Sequence, residues 1–306
     1  MNPRLSIDPL SDLHQLLAYP FMVNALEAGT IVAVMAATVG WLMVLRRESF
    51  AGHTLSIMSF PGASAAALAG APLAWGYFLF CALGALAIAA GSSVGGRREE
   101  SQGSAVVGTV QAFALALGFL FLSLYHGVLE SLETLLFGSF LGITSGQVLV
   151  LAGVMCAVLA FLACAGRPLL FASVDEEVAR AVGVPVRALS IAFLLVLGLA
   201  VAATAQITGA LLVFALLLAP AATARELTPR IGLGLLLSVL LALLIVWIGL
   251  GLSYFTNDAV GFFVSSIALV FYATARAART LAQVRSRGGS ATTAGTSTAA
   301  TARTGA

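Results

Sequence analysis

Apolar runs of membrane-crossing length fill most of this 306-residue chain, and its arginines fall in alternate gaps between them. There is no lysine, so arginine carries all the fixed positive charge. Arg46-Arg47, Arg97-Arg98, the group Arg167, Arg180 and Arg187, then Arg225 with Arg230, and finally Arg276 to Arg287 occupy five gaps. The intervening gaps hold Pro72, His126 to Glu133, Gln206, and Asn257-Asp258. Such alternation marks a polytopic membrane protein whose arginine-bearing gaps face the cytoplasm.

Apolar residues make up 60% of the chain and charged residues 9%, against roughly a quarter charged in a soluble domain. A helix needs roughly 20 apolar residues to cross the hydrocarbon core, where its backbone must be satisfied internally. Stretches that fit are about 22–45, 53–70, 73–95, 104–125, 147–166, 188–205, 207–224, 231–253 and 259–277. The expectation is an all-α transmembrane bundle of about nine spans. The N-terminus is then outside and the C-terminus cytoplasmic, with Arg4 the one dissenting arginine, beside Asp8 and Asp12. Residues 1–20 are mixed and polar and read as an extracytoplasmic segment, not a cleavable signal. Residues 21–280 read as one membrane domain. Residues 281–306, rich in Ser, Thr, Gly and Ala, read as a disordered cytoplasmic tail. Cys81, Cys156 and Cys164 lie within apolar spans and lack metal-binding spacing, so buried structural thiols are expected. A net charge of +2 gives no reason to expect nucleic acid.

The second span is rich in small residues. Gly62, Ala66 and Gly70 recur every fourth position, which suits either a path-lining helix or close helix packing. Leu235 to Leu252 is bulky and reads as lipid-facing. In the long gap before Arg187, Ser173 and Glu176 fit a capping box, with Asp175, Glu176 and Glu177 in the first turn. Gly183 fits a helix-terminating position ahead of Pro185. Val174, Val178, Ala181 and Val182 share one face of this short helix, which can lie on the bilayer or dock into a partner's groove. Acids at its start and a polar face that is not basic argue against an anionic membrane surface.

Ionisable groups near membrane spans are functional candidates. His53 opens the second span as a transient metal ligand or as a helix-start residue. Ser56 and Ser59 follow it along the same helix as candidate path residues. His126, Glu130 and Glu133 share one helical face at spacings of four and three; they suit a divalent cation at the outer mouth, a solvated loop, or an external partner. Without lysine there is no Walker-type phosphate loop, and neither a zinc-protease motif nor a nucleophile elbow is present. The chain is therefore read as a non-enzyme.

Two segments carry a resemblance. Arg46-Arg47-Glu48-Ser49-Phe50-Ala51-Gly52-His53-Thr54-Leu55-Ser56, and Thr208-Gly209-Ala210-Leu211-Leu212 through Pro220-Ala221-Ala222-Thr223-Ala224-Arg225, resemble bacterial ABC-type metal permeases, the membrane subunits of zinc, manganese and iron importers. Leu135-Leu136-Phe137-Gly138 is a third match, and the Asp175–Gly183 stretch is similar to the family's coupling helix. The resemblance spans roughly residues 20–278. It implies a plasma-membrane permease working as a pair of copies, with cytoplasmic ATPase subunits and an extracytoplasmic metal-binding protein. ATP would be used by the separate subunit, this chain would bind no cofactor, and a divalent metal would be the substrate. By this resemblance Asp175, Glu176, Val178, Ala181 and Gly183 would seat in the ATPase, the second helix would line the path, and His53 would handle metal. Many members carry a second histidine where this chain has Ile57, and an acid where it has Ser139. A self-contained secondary transporter is the alternative; it expects inverted repeats and intramembrane acids, and the mid-span regions show neither.

Overall fold

The computed structural model describes residues 18–94, 100–125, 138, 142–256 and 259–301. Among these the chain is helical, and its elements are numbered here in chain order. They are α1 (Pro20–Leu45), α2 (Ser49–Leu68), α3 (Leu73–Val94), α4 (Glu100–Leu124), α5 (Ser145–Val174), the short α6 (Glu176–Ala181), α7 (Val186–Leu227), α8 (Ile231–Thr256) and α9 (Val260–Thr301).

The expectation of about nine spans meets a coarser count. Among the described residues six helices are long and apolar enough to cross a membrane: Pro20–Leu45, Leu73–Gly91, Ser145–Val174, Val186–Ala210, Ile231–Thr256 and Val260–Leu281. Gly108–Leu124 is a shorter apolar helix. Helix α2 falls outside because Thr54, His53 and four serines lower its hydropathy. The second limb of α7 is short and ends in Arg225 and Glu226.

Helix α7 organises the bundle. Straight, its 42 residues would reach about 63 Å at 1.5 Å per residue, twice the hydrocarbon thickness. It is not straight. Near its start, Ser190 Oγ accepts from Arg46 at 2.8 Å; near its end, the Arg225 guanidinium donates to the Val44 carbonyl at 3.0 Å. Both ends therefore lie beside the end of α1, and the helix doubles back at Gly209 (φ 73°, ψ 163°). That backbone region is open essentially to glycine alone. The expected gap at Gln206 is thus inside the first limb, where its side chain donates to the Ala202 carbonyl, and the reversal falls three residues later.

The core lies between α1 and α7, where Ala28, Val32, Ala36 and Val39 meet Leu197, Val201, Val213 and Leu217. Small residues allow the approach: a Cβ on Gly40 would stand 2.0 Å from the Leu217 carbonyl oxygen. Helices α2 and α3 cross in the same way, with Gly62 and Gly76 back to back. The Gly62–Ala66 side of α2 is therefore a packing face, which settles one of its two readings. In α8, Gly234, Ser238, Ala242 and Gly249 are buried while Leu236, Leu240, Leu244 and Ile248 are exposed, as a lipid-facing helix requires.

Two expectations are corrected. Cys81 is buried, with its thiol 3.6 Å from the Leu55 carbonyl, but Cys156 and Cys164 are exposed. They lie on α5, the span least buried by the rest of the chain, so an apolar sequence context did not imply burial within the protomer. The short helix is capped by Asp175, not Ser173. Helix α5 continues helically past Arg167 and Pro168 to Val174, so Ser173 donates to the Leu169 carbonyl, while the Asp175 carboxylate accepts from the Glu177 and Val178 amides. Helix α9 runs to Thr301, through most of the 281–306 segment expected as a disordered tail.

Candidate translocation site

Helix α1 ends in a corner that sets the register of α2. The Glu48 amide donates to the Met43 carbonyl and the Arg47 amide to the Val44 carbonyl, a Schellman ending. Its left-handed position is usually glycine; here it is Arg47 at φ 58°, which costs about 1 kcal/mol. Glu48 then caps α2 by its backbone, and the Gly52 amide donates to its carbonyl. His53 therefore lies in the second turn, which removes the helix-start reading.

From there His53, Ser56, Ile57 and Phe60 share one face, spaced by three, four and seven. With Leu115 of α4 and Ala210 and Phe214 of the second limb of α7 they line a partly open cavity of about 120 Å³. The His53 and Phe214 rings are 4.6 Å apart between centroids, tilted by 56°. The His53 Nδ1 is buried and has no hydrogen-bond partner. The Ser56 hydroxyl commits its proton to the Gly52 carbonyl at 2.9 Å. The walls are otherwise apolar. One free imidazole nitrogen can hold a cation briefly; a durable site needs several ligands. Among the described residues no three of His, Cys, Asp or Glu gather in a metal-binding group.

Not every expected residue reaches the cavity. Ser59 is fully buried elsewhere, its hydroxyl donating to the Ser56 carbonyl at 2.6 Å. His126, Glu130 and Glu133 lie outside the described residues, as do Leu135 to Phe137 and Ser139. Gly138 is described, at φ 76°, and a Cβ there would stand 2.2 Å from the Ile207 carbonyl oxygen and 2.6 Å from the Gly209 nitrogen. The turn of α7 and the end of the Leu-Leu-Phe-Gly element therefore pack backbone to backbone. Ile57, the position that departs from the second histidine, stands in the cavity wall. Phe60, Leu115 and Phe214 were not singled out from sequence, because apolar residues among apolar residues carry no signal.

A second polar cluster occupies the α1–α2 corner. The Arg46 side chain is 8% exposed. Its Nε and Nη2 donate to Glu48 Oε1 at 3.0 and 2.9 Å, Nη1 to Ser173 Oγ at 3.4 Å and Nη2 to Ser190 Oγ at 2.8 Å. The guanidinium lies over the Phe193 ring at 5.1 Å. Burial pushes the Glu48 carboxyl above its ordinary range, and Arg46 offsets this only in part. Its Oε2 is buried without a partner.

Helix α6 hangs beside that corner. Ala179 packs into a small cluster with Ala172 and Val186. Val178 and Ala181 on α6 are exposed, as are Val174 and Val182; Val174 ends α5 and Val182 caps α6, so only Val178 and Ala181 of the expected apolar face belong to the short helix. Glu176 pairs with Arg180, both exposed. Gly183 (φ 88°) ends the helix, the Val184 amide donating to the Ala179 carbonyl.

The model of the ABC 3 transport family matches residues 18–278. Manganese transport system membrane protein MntC of Halalkalibacterium halodurans is 30% identical over 261 residues, 85% of this chain and 88% of that one. Chelated iron transport system membrane protein YfeC of Yersinia pestis is 30% identical over 79% of this chain and 81% of its own length. The solved structure of PsaBC from Streptococcus pneumoniae in complex with Fab superposes at a TM-score of 0.76 with 26% identity, covering 87% of this chain and 94% of that one. The chain belongs to the ABC 3 transport family.

Proposed function

We propose that this member of the ABC 3 transport family is the multi-pass plasma-membrane permease of a metal importer, moving a divalent ion such as manganese or iron past His53. The carrying observation is the unpartnered His53 nitrogen in a cavity built by α2 and the doubled-back limb of α7. A single neutral ligand in an apolar wall suits passage, since conduction requires binding weak enough to release. Relatives named for manganese and iron transport support the choice of cargo.

The finer reading has about nine crossings. In favour of it, α2, α4 and the second limb of α7 take part in the same bundle as the six longer helices. The N-terminus is outside and residues 281–306 form a cytoplasmic tail. In support, Arg46, the α6 segment, Arg225 and the Arg279–Glu226 pair lie at one end of the bundle, as one arginine-rich face would require. Helix α6, through Val178, Ala181 and its neighbours, seats in a cytoplasmic ATPase that uses the ATP. A second copy completes the permease. An extracytoplasmic metal-binding protein delivers the ion near His126, Glu130 and Glu133.

The test compares cells with and without the gene for manganese and iron content. A deficit restored by the wild-type gene is expected, and equal metal content overturns the proposal. For the motor contact, Ala181→Asp is expected to abolish co-purification of the ATPase while leaving membrane insertion intact. Undiminished co-purification removes that role from α6.

A further inference from the structure

We propose that Arg46 is the positioning residue that carries movement of α6 to the His53 cavity. The inference rests on the reading of α6 as the motor contact. Helix α6 and its connections leave the bundle after Ser173 and rejoin it before Ser190. Both serine hydroxyls accept from the same guanidinium, at 3.4 and 2.8 Å. Phe193, one turn further along α7, lies under the same group. One cation therefore grips both roots of the α6 excursion.

The other side of that cation grips α2. Arg46 Nε and Nη2 both meet Glu48 Oε1, and Glu48 is the residue from which α2 starts. His53, Ser56, Ile57 and Phe60 follow on that helix and form one wall of the cavity. A shift of the α6 roots thus moves the guanidinium, then Glu48, then the wall opposite Phe214. The Arg46 side chain is mostly buried and that of Glu48 is partly exposed, so screening is weaker than at the surface and the ion pair resists being pulled apart. The direct route is poorer: α6 touches α5 and α7, and no contact between α6 and α2 is large enough to compete.

The geometry needs a planar fork. Arg46 makes four hydrogen bonds to three acceptors while stacking on a ring, and a lysine ammonium at that point cannot reproduce this. Charge alone is therefore insufficient, which separates this role from orientation by positive residues.

The experiment uses the permease co-purified with its ATPase, reconstituted in liposomes, with manganese as the probe. It reads manganese moved per ATP hydrolysed, alongside ATPase rate and melting temperature. Arg46→Lys is expected to lower manganese per ATP about tenfold while the ATPase stays bound and active. Ser173→Ala with Ser190→Ala, which keeps the ion pair and so the fold, is expected to lower the ratio less. Ser190→Thr, which restores a hydroxyl, is expected to match wild type. A wild-type ratio in both Arg46→Lys and the double serine variant overturns the relay while leaving the motor contact standing. If wild-type permease recovers no ATPase, the reading of α6 fails and the relay falls with it.

Discussion

The Arg46 corner and the His53 cavity lie seven residues apart in sequence and treat buried polarity in opposite ways. At the corner a guanidinium has partners on three helices and a ring beneath it. In the cavity an imidazole nitrogen is buried with no partner. An unmet buried polar atom costs roughly 1–3 kcal/mol, and such exceptions in a well-packed protein call for an explanation. The corner holds helices together; the cavity leaves one ligand free for something that passes. Glu48 stands between the two cases, with one carboxylate oxygen held by Arg46 and the other unmet.

The contrast can be broken from either side. Arg46→Ala leaves Glu48 buried without its cation and is expected to destabilise the fold by about 3 kcal/mol, read as thermal unfolding in detergent. A melting temperature equal to wild type would show that the corner holds nothing. His53→Ala is expected to reduce manganese accumulation about tenfold, equivalent to losing ~1.4 kcal/mol of ligand interaction, with little change in melting temperature. Loss of stability comparable to Arg46→Ala would make His53 structural and erase the distinction.

Ile57→His sharpens the cavity side. Two imidazoles four residues apart share a helical face and bind a divalent ion far better than one. The purified variant should retain manganese through gel filtration, and transport should slow because release is harder. Metal content no higher than wild type would place Ile57 outside the ion's route.

Glu48 supplies a pH test of the corner. Burial raises its folded pKa above the ordinary 4.5, so the folded chain holds this proton more tightly than the unfolded one. The stabilisation is full below pH 4.5 and is lost as pH rises through the raised folded value. Glu48→Gln should flatten that decline in melting temperature; parallel curves for the two proteins would refute it. The smallest effect is expected for Ser59→Ala. That hydroxyl meets only the Ser56 carbonyl, so transport should be unchanged and stability altered by about 1 kcal/mol or less.

Much of the organisation was legible because a bilayer imposes simple demands. Apolar length gave the helices, since only internally bonded backbone survives in lipid. Arginine alternation gave the shared end at which Arg46, the α6 segment and Arg225 meet. The short helix before Arg187 was legible too, with Val178 and Ala181 exposed on it and Gly183 at its end. His53 stood out because a titratable residue in an apolar run is rare.

Tertiary structure decided the rest. The sequence put a break at Gln206, but the reversal is at Gly209, whose backbone angles no other residue adopts readily. It read Ser173 as a cap, but the length of α5 made that serine a root held by Arg46. It offered the small-residue helix α2 as packing or path, and the fold divided its faces: Gly62 faces α3, while His53, Ser56 and Ile57 face the cavity. Periodicity says which residues share a face and is silent on what that face meets. The partners of Arg46 and the walls around His53 come from helices distant in sequence, so only their packing could bring them together.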